Sequence, residues 1–438
     1  MRHLSIRASL TRTAPRPSQP SIDVMPRAST CGKRRPEKGN SVTDTILSRY
    51  PQVSGDPRAM AMLSQALRVK GQIADAFALG LAAVEAVPQD IEVRDLVRGG
   101  LSNGVPAWHV PMLHDLPRNR CYVDAIERAV RPGMRILEIG TGAGLLSLVA
   151  ARAGAEVITC ELNPAIAAAA TEIARRNGLG DRIRVIGKPS NALEVGVDLS
   201  EPADMLMSEL FDDTLFGDGI IEYIADARKR LLKPDAAVLP PRAELRCALV
   251  LTDLSDRHRP LDIVEGFDLS PFNVLSPPVP RQLRVRARPT EQRSDPVSAL
   301  PMDFERASFG ATSQHIVLRS NGGQVNGIAQ WLRVDFGNGV IYENDPFDGP
   351  WSHWGSPIQT LAAPVETMPG DEIEVALRIV GRQLVMRPVE ALAPTETSLP
   401  GKWHPWPEEL RTRQGSQGRT AARAYARKAK ATDVAAGV

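Results

Sequence analysis

The chain of 438 residues is short of cysteine, of net charge and of long apolar runs, and each shortage closes off a class of protein. Its four cysteines, Cys31, Cys121, Cys160 and Cys247, are far apart, with no C-x-x-C pair and no Cys/His ligand spacing. That usage predicts a reducing, cytoplasmic setting and no structural zinc or other metal site. A net charge of only +2 supplies no global field to draw in nucleic acid, although Arg and Lys crowd toward both ends. No stretch reaches the roughly 18 to 20 uninterrupted apolar residues of a membrane span. The reading therefore expects neither a membrane nor direct nucleic-acid binding.

What is present is the composition of a soluble globular protein, 43% hydrophobic and 24% charged. At roughly 150 residues per domain, the length predicts two or three units, large enough for an enzyme. Residues 1–43 form a basic stretch rich in Arg, Ser and Thr with no acid before Asp23. It resembles an organelle transit peptide, but its repeated prolines favour an unstructured tail or a misassigned start codon. Residues 44–100 carry apolar residues at three- and four-residue spacing, broken at Gly71 and stopped at Pro88. This is a tetratricopeptide-like helix pair, which cannot bury its apolar face alone and should pack on the next domain or a partner.

From Pro132 the texture alternates strand and helix: MRILEIG, LLSLVAARAGA, EVITCEL, RIRVIG, ADMLMSEL and a helical stretch from Ile220. Such alternation predicts a Rossmann-like, doubly wound α/β domain over 101–240. Beyond Pro241, short runs such as ELRCALVLTD, WLRVDFG and EIEVALRIV between Gly, Pro and Asp predict an antiparallel β sandwich or barrel over 241–400. Residues 401–438 read as a second polar, basic, disordered tail.

Within the α/β region, ILEIGTGAG places Gly140, Gly142 and Gly144 directly after a strand, spaced G-x-G-x-G. Glycines there let a ligand approach the backbone at the carboxyl end of the first strand. Glu161 ends the next strand, where a carboxylate can take both hydroxyls of a ribose. With Glu138 inside the first strand and no phosphate-binding Lys-Ser/Thr after the loop, the inferred ligand is S-adenosylmethionine.

The segment MSELFDDTLFGDG, 207–219, then sets Glu209 at the end of the expected fourth strand, on the same rim. The sulfonium is positive, and a cationic acceptor about 4 Å away repels it by roughly 4 kcal/mol at an effective dielectric near 20. Carboxylates are needed to bring the two together. A guanidinium answers that demand best, because its planar fork of donors matches carboxylates with directed hydrogen bonds. Glu209 and Asp218 are spaced to bracket such a group in a hairpin-like loop turned by Gly217 and Gly219. By composition alone the segment could also be a solvated acidic loop.

Here a resemblance enters. Glu209-Leu-Phe-Asp-Asp-Thr-Leu-Phe-Gly-Asp218 resembles the "double-E" loop of the protein arginine methyltransferases, in particular their seventh, monomethylating branch. Met112-Leu-His-Asp115-x-x-Arg118-x-x-x-Tyr122 is similar to the family's helix over the cofactor, and Trp351-Ser-His353-Trp354 to its Thr-His-Trp loop, with Ser replacing Thr. The resemblance covers about 108–395. It implies that Met112, Arg118, Gly140, Gly142, Glu161 and Ser190 hold the cofactor, with Arg118 on the methionine carboxylate. It further implies that Glu209 and Asp218 clamp the target arginine of a protein or peptide, that His353 completes the site, and that residues 262–300 form an arm for a homodimer. Asp218 stands where the family has glutamate, which leaves mono- against dimethylation open. Two rivals remain: a methyltransferase for another amine (lysine, a ribosomal protein or a small molecule), and an inactive helical-repeat binding protein.

Overall fold

The computed structural model describes residues 42–102, 104–215, 219–253, 261–275, 284–306, 308–309, 313–380 and 383–389. The tails, Asp218 and part of the expected arm lie outside them. Among the described residues, no helix is long and apolar enough to cross a membrane, and no cluster of His, Cys, Asp and Glu is placed to hold a metal ion. The chain divides into two compact units at Asn103/Gly104.

Among the described residues, the first unit holds four α-helices, α1 (Val42–Arg49), α2 (Pro57–Val69), α3 (Ile73–Ala86) and α4 (Ile91–Leu101). Helices α2 and α4 start where Asp56 and Asp90 accept the N–H of Ala59 and Val93, each cap satisfying a donor the first turn leaves open. Ile46, Met60, Leu67, Leu79 and Val93 close over a core of the unit's own. Four helices thus bury the apolar face that a single pair would have left exposed.

The second unit opens with two helices, α5 (His109–Leu113) and α6 (Leu116–Ala129). An alternating series follows: β1 (Arg135–Ile139), α7 (Leu145–Arg152), β2 (Glu156–Cys160), α8 (Pro164–Arg176), β3 (Ile183–Ile186), β4 (Ala203–Ser208), α9 (Ile220–Arg230) and β5 (Leu232–Leu239). The strands form a parallel sheet in the order β3-β2-β1-β4-β5. Strands β1 and β4 are almost wholly buried, as expected of a parallel sheet covered on both faces. The order reverses between β1 and β4, and open α/β sheets bind ligands outside the carboxyl ends of strands at that point.

Next in the chain come β6 (Arg242–Thr252), the exposed hairpin β7 (Ile263–Val264) and β8 (Phe267–Asp268), then β9 (Thr290–Gln292), β10 (Val297–Asp303) and β11 (Ser308–Phe309). The last strands are β12 (Ser313–Asp335), β13 (Ile341–Glu343), β14 (Ile358–Val380) and β15 (Gln383–Pro388). Eight of them form an antiparallel sheet along β11-β10-β6-β12-β14-β15, with β9 on β6 and β13 on β12. This is the barrel domain. Its central strand β6 is buried on both faces: Leu245, Cys247 and Leu249 join the core shared with the parallel sheet, while Ala248 and Val250 pack with Val285, Trp331 and Ile358. Of the stretch expected as an arm, 262–275 stands outside the large sheet, whereas β9 and part of β10 are rungs of it.

Candidate active site

The glycine loop is shaped by backbone conformation. Gly140, Gly142 and Gly144 all have positive φ, at 85°, 51° and 80°, a region that side chains rarely enter. A Cβ on Gly140 would also lie 2.7 Å from Leu210, the residue after Glu209, so the loop and the end of β4 touch. Ser208 Oγ donates to Ile139 O at 3.0 Å and fastens the two strand ends together.

Glu161 follows β2 and lies beside this loop. Its two carboxylate oxygens accept the N–H of Gly142 at 3.2 Å and of Asn163 at 2.9 Å. Glu138 lies beneath the loop, 1% exposed, and its Oε2 accepts from the hydroxyls of Ser147 and of Thr159, the latter at 2.9 Å. Burial pushes its carboxyl up to about 7, against the pull of those two hydrogen bonds. Its described contacts thus run inward to α7 and β2.

Arg118 and Glu209 meet in a buried ion pair, Nη2 to Oε2 at 2.7 Å, with side chains 3% and 9% exposed. The guanidinium also lies over the rings of Tyr122 and Trp354, 5.0 and 5.6 Å from their centroids. Met112 is buried on α5. Arg118 Nε and Ser190 Oγ are buried with no hydrogen-bond partner among the described residues.

The second half of the site converges on Asp115, which sequence reading quoted only as part of a motif. As the N-cap of α6 it accepts Arg118 N–H at 3.3 Å, and Pro117 in the first turn sharpens the helix start. The same buried carboxylate accepts Ser352 Oγ at 3.0 Å, His353 N–H at 3.1 Å and Tyr342 Oη at 3.1 Å, and faces His353 Nδ1 at 3.0 Å. Burial alone would raise its pKa; the hydrogen bonds from His353, Ser352 and Arg118 outweigh it and hold the carboxyl below its ordinary range. His353 is itself held below its ordinary value, chiefly by burial and further by the Arg118 charge, with Asp115 pulling the other way. A neutral imidazole that donates from Nδ1 to an ionised Asp115 presents its Nε2 as an acceptor. Trp354 Nε1 donates to Phe211 O at 3.0 Å and so ties this turn to the acidic segment.

The described structure thus brings Met112, Arg118, Gly140, Gly142, Gly144, Glu161, Glu209 and His353 to one end of the sheet, with Ser190 beyond β3 and Glu138 under the loop. His109 joins them: a Cβ on Gly142 would lie 3.9 Å from its ring. Burial lowers its pKa, opposed by Glu161. Its only signal in the sequence was its position just inside the resembling region.

A parallel sheet with a glycine turn and an acid on successive strands, a buried acid at the end of the fourth, and a barrel supplying a histidine define a methyltransferase of the Rossmann type with an appended barrel. Comparisons agree. The family model for ribosomal protein L11 methyltransferase matches residues 119–239, the parallel-sheet portion alone. A solved Trypanosoma brucei PRMT1 enzyme-prozyme complex with AdoHcy resembles the fold at a TM-score of 0.56 and 24% identity, over 65% of this chain and 93% of that one. Arginine N(omega)-methyltransferase of Streptomyces achromogenes is 36% identical over 62% of this chain and 76% of its own length. Protein arginine N-methyltransferase 7 of indica rice is 33% identical over 54% of this chain, which spans only 36% of that relative. The chain belongs to the arginine N-methyltransferase family, whose methyl donor is S-adenosylmethionine.

Proposed function

We propose that this chain transfers a methyl group from S-adenosylmethionine to a guanidinium nitrogen of arginine in a protein or peptide, with monomethylarginine as product. One observation carries the reading: Glu209, on the rim beside the glycine loop, already pairs with a guanidinium, that of Arg118 at 2.7 Å. A carboxylate buried there offsets the repulsion between a cationic acceptor and a cationic donor.

The residues present fit the cofactor. The unpartnered Nε of Arg118 suits the methionine carboxylate, and the buried, unpartnered Ser190 Oγ supplies a further polar group. Gly140, Gly142 and Gly144 permit close approach, Met112, buried on α5, offers an apolar contact, and Glu161 takes the ribose hydroxyls. Glu138 acts from below by shaping the loop. When bound, the cofactor supplies an activated methyl, so the protein's work is positioning and fixed charge. Glu209 and Asp218 orient the guanidinium and concentrate its lone pair on the attacking nitrogen. His353, held in one tautomer by Asp115, receives at Nε2 the proton the product sheds.

The product assignment rests on the loop's likeness to the monomethylating branch. Self-association through 261–275 is part of the same reading, because Ile263, Phe267, Phe272, Val274 and Leu275 are all exposed there. The free thiols among the described residues, Cys121, Cys160 and Cys247, are in keeping with a cytoplasmic setting. The α2–α3 hairpin, with Gly71 at φ 77° in its turn, supports the tetratricopeptide-like reading of the first unit. Incubation with methyl-labelled cofactor and matched arginine and lysine peptides tests the proposal. Label on arginine, one methyl by mass, is expected; label on lysine alone, or on neither, contradicts it.

A further inference from the structure

Arg284 lies in the barrel domain, directly before the Val285–Ala287 turn, and was not singled out by any motif. Its Nη2 reaches Asp213 Oδ2 at 3.1 Å, in the acidic segment 71 residues earlier. Its guanidinium packs against Gly355, two residues after His353. A Cβ at 355 would fall 2.1 Å from Nη1 and 2.4 Å from Cζ, so only glycine admits this packing. Backbone contacts hold the two strands of this junction together: Val285 N–H donates to Ser356 O at 3.0 Å, and Arg284 bridges Pro357.

The segment that Arg284 grips is under tension. Leu215 is buried with φ at 82°, an outlier for a bulky residue that persists only where its surroundings hold it. Asp212 braces the turn from within by accepting the N–H and hydroxyl of Thr214 at 2.8 and 2.6 Å. Ties from outside include Trp354 to Phe211 O at 3.0 Å, Gln330 to Asp213 O at 3.4 Å, and Arg284 to the Asp213 carboxylate. Glu209 precedes this braced stretch, and Asp218 follows it three residues after Leu215.

We propose that Arg284 is a positioning residue for the guanidinium clamp. Seated on Gly355, it anchors Asp213, so that residues 209–215 are set against the His353 turn before substrate arrives. The proposal rests on the arginine-methylating reading and adds to it a determinant of acceptor affinity. Side-chain exposure of 44% at Arg284 makes the pair worth little to global stability, so its consequence is local.

The test uses the full chain with Arg284→Gln, Arg284→Lys and Gly355→Ala. The alanine displaces the far end of a flexible side chain rather than the backbone, so it ejects the guanidinium without rebuilding the turn. Arg284→Gln and Gly355→Ala should each raise KM for an arginine peptide by about tenfold, with the cofactor Kd unchanged and Arg284→Lys in between. The double variant should be no worse than either single one, since both remove one interaction. Amide hydrogen exchange over 209–215 should quicken in both and stay unchanged in α2–α3. Unchanged exchange, a parallel rise in cofactor Kd, or additive losses in the double variant would overturn the proposal. Failure of the wild-type chain to methylate arginine would instead sink the functional reading, while the exchange result still decides the anchor.

Discussion

Glu138→Gln should make the stability of the second unit less sensitive to a rise of pH from mildly acidic to neutral. Glu138 is 1% exposed, and its carboxyl, ordinarily 4.5, is pushed up to about 7, first by burial and then by the charge of Glu161, against the hydrogen bonds from Ser147 and Thr159. Between those two values the folded chain holds a proton that the unfolded chain has lost. The stability this contributes is fully present below 4.5 and is lost as pH rises through about 7. At 1.36 kcal/mol per pH unit the gap corresponds to about 3 kcal/mol, of which about 1 kcal/mol is lost between about pH 6 and about pH 8. Glutamine keeps an acceptor for both hydroxyls and has no proton to lose. All six tryptophans lie at or beyond Trp108, so their fluorescence in denaturant reports the second unit. The wild-type midpoint should fall over that pH span relative to the variant; parallel curves for the two would refute the reasoning.

Removing one partner of the buried pair by Arg118→Ala should destabilise the second unit by about 3–5 kcal/mol, because Glu209 is left charged in a dry site. The double variant with Glu209→Gln should recover part of that loss in the same denaturation assay, and no recovery would argue against the pair. Since burial holds His353 below its ordinary 6.5, kcat/KM should climb along an acid limb with its midpoint under that value. The same depression means that the fold loses stability as pH falls below 6.5, where the unfolded histidine binds a proton more readily. Asp115→Asn should move the acid limb further down and lower the plateau, whereas an upward move would contradict the tautomer argument. On the proposed self-association, replacing Phe267 and Phe272 by aspartate should lower the association constant in sedimentation equilibrium; an unaltered constant, or no association in the wild type, would contradict a role for 261–275.

The glycine turn, the acids ending β2 and β4 and the alternation of elements were legible because each is a local pattern with a fixed period or a fixed backbone demand. Asp115 shows the limit. In sequence it is only one letter of the Met112–Tyr122 motif, and nothing local announces that Ser352 and His353, more than 230 residues later, will fold onto the same carboxylate. The Arg118–Glu209 pair was hidden for the same reason, and reading Arg118 only as a cofactor ligand missed its neutralisation of the acid it faces. Part of the stretch expected as an arm pairs with the large sheet instead, because β9 and the start of β10 are too short to show a pattern of their own and their partner β6 could not be seen from them. The first unit differed in number of helices: α1 and α4 complete a core that the Gly71 hairpin alone would lack.

Glu209→Gln bears most directly on the central claim. The substitution keeps the shape and removes the charge that brings a guanidinium to the rim. Methyl transfer to an arginine peptide should fall by about 100-fold or more while calorimetry shows cofactor binding nearly intact. Equal losses in cofactor affinity and turnover, or full activity in the variant, would contradict the account.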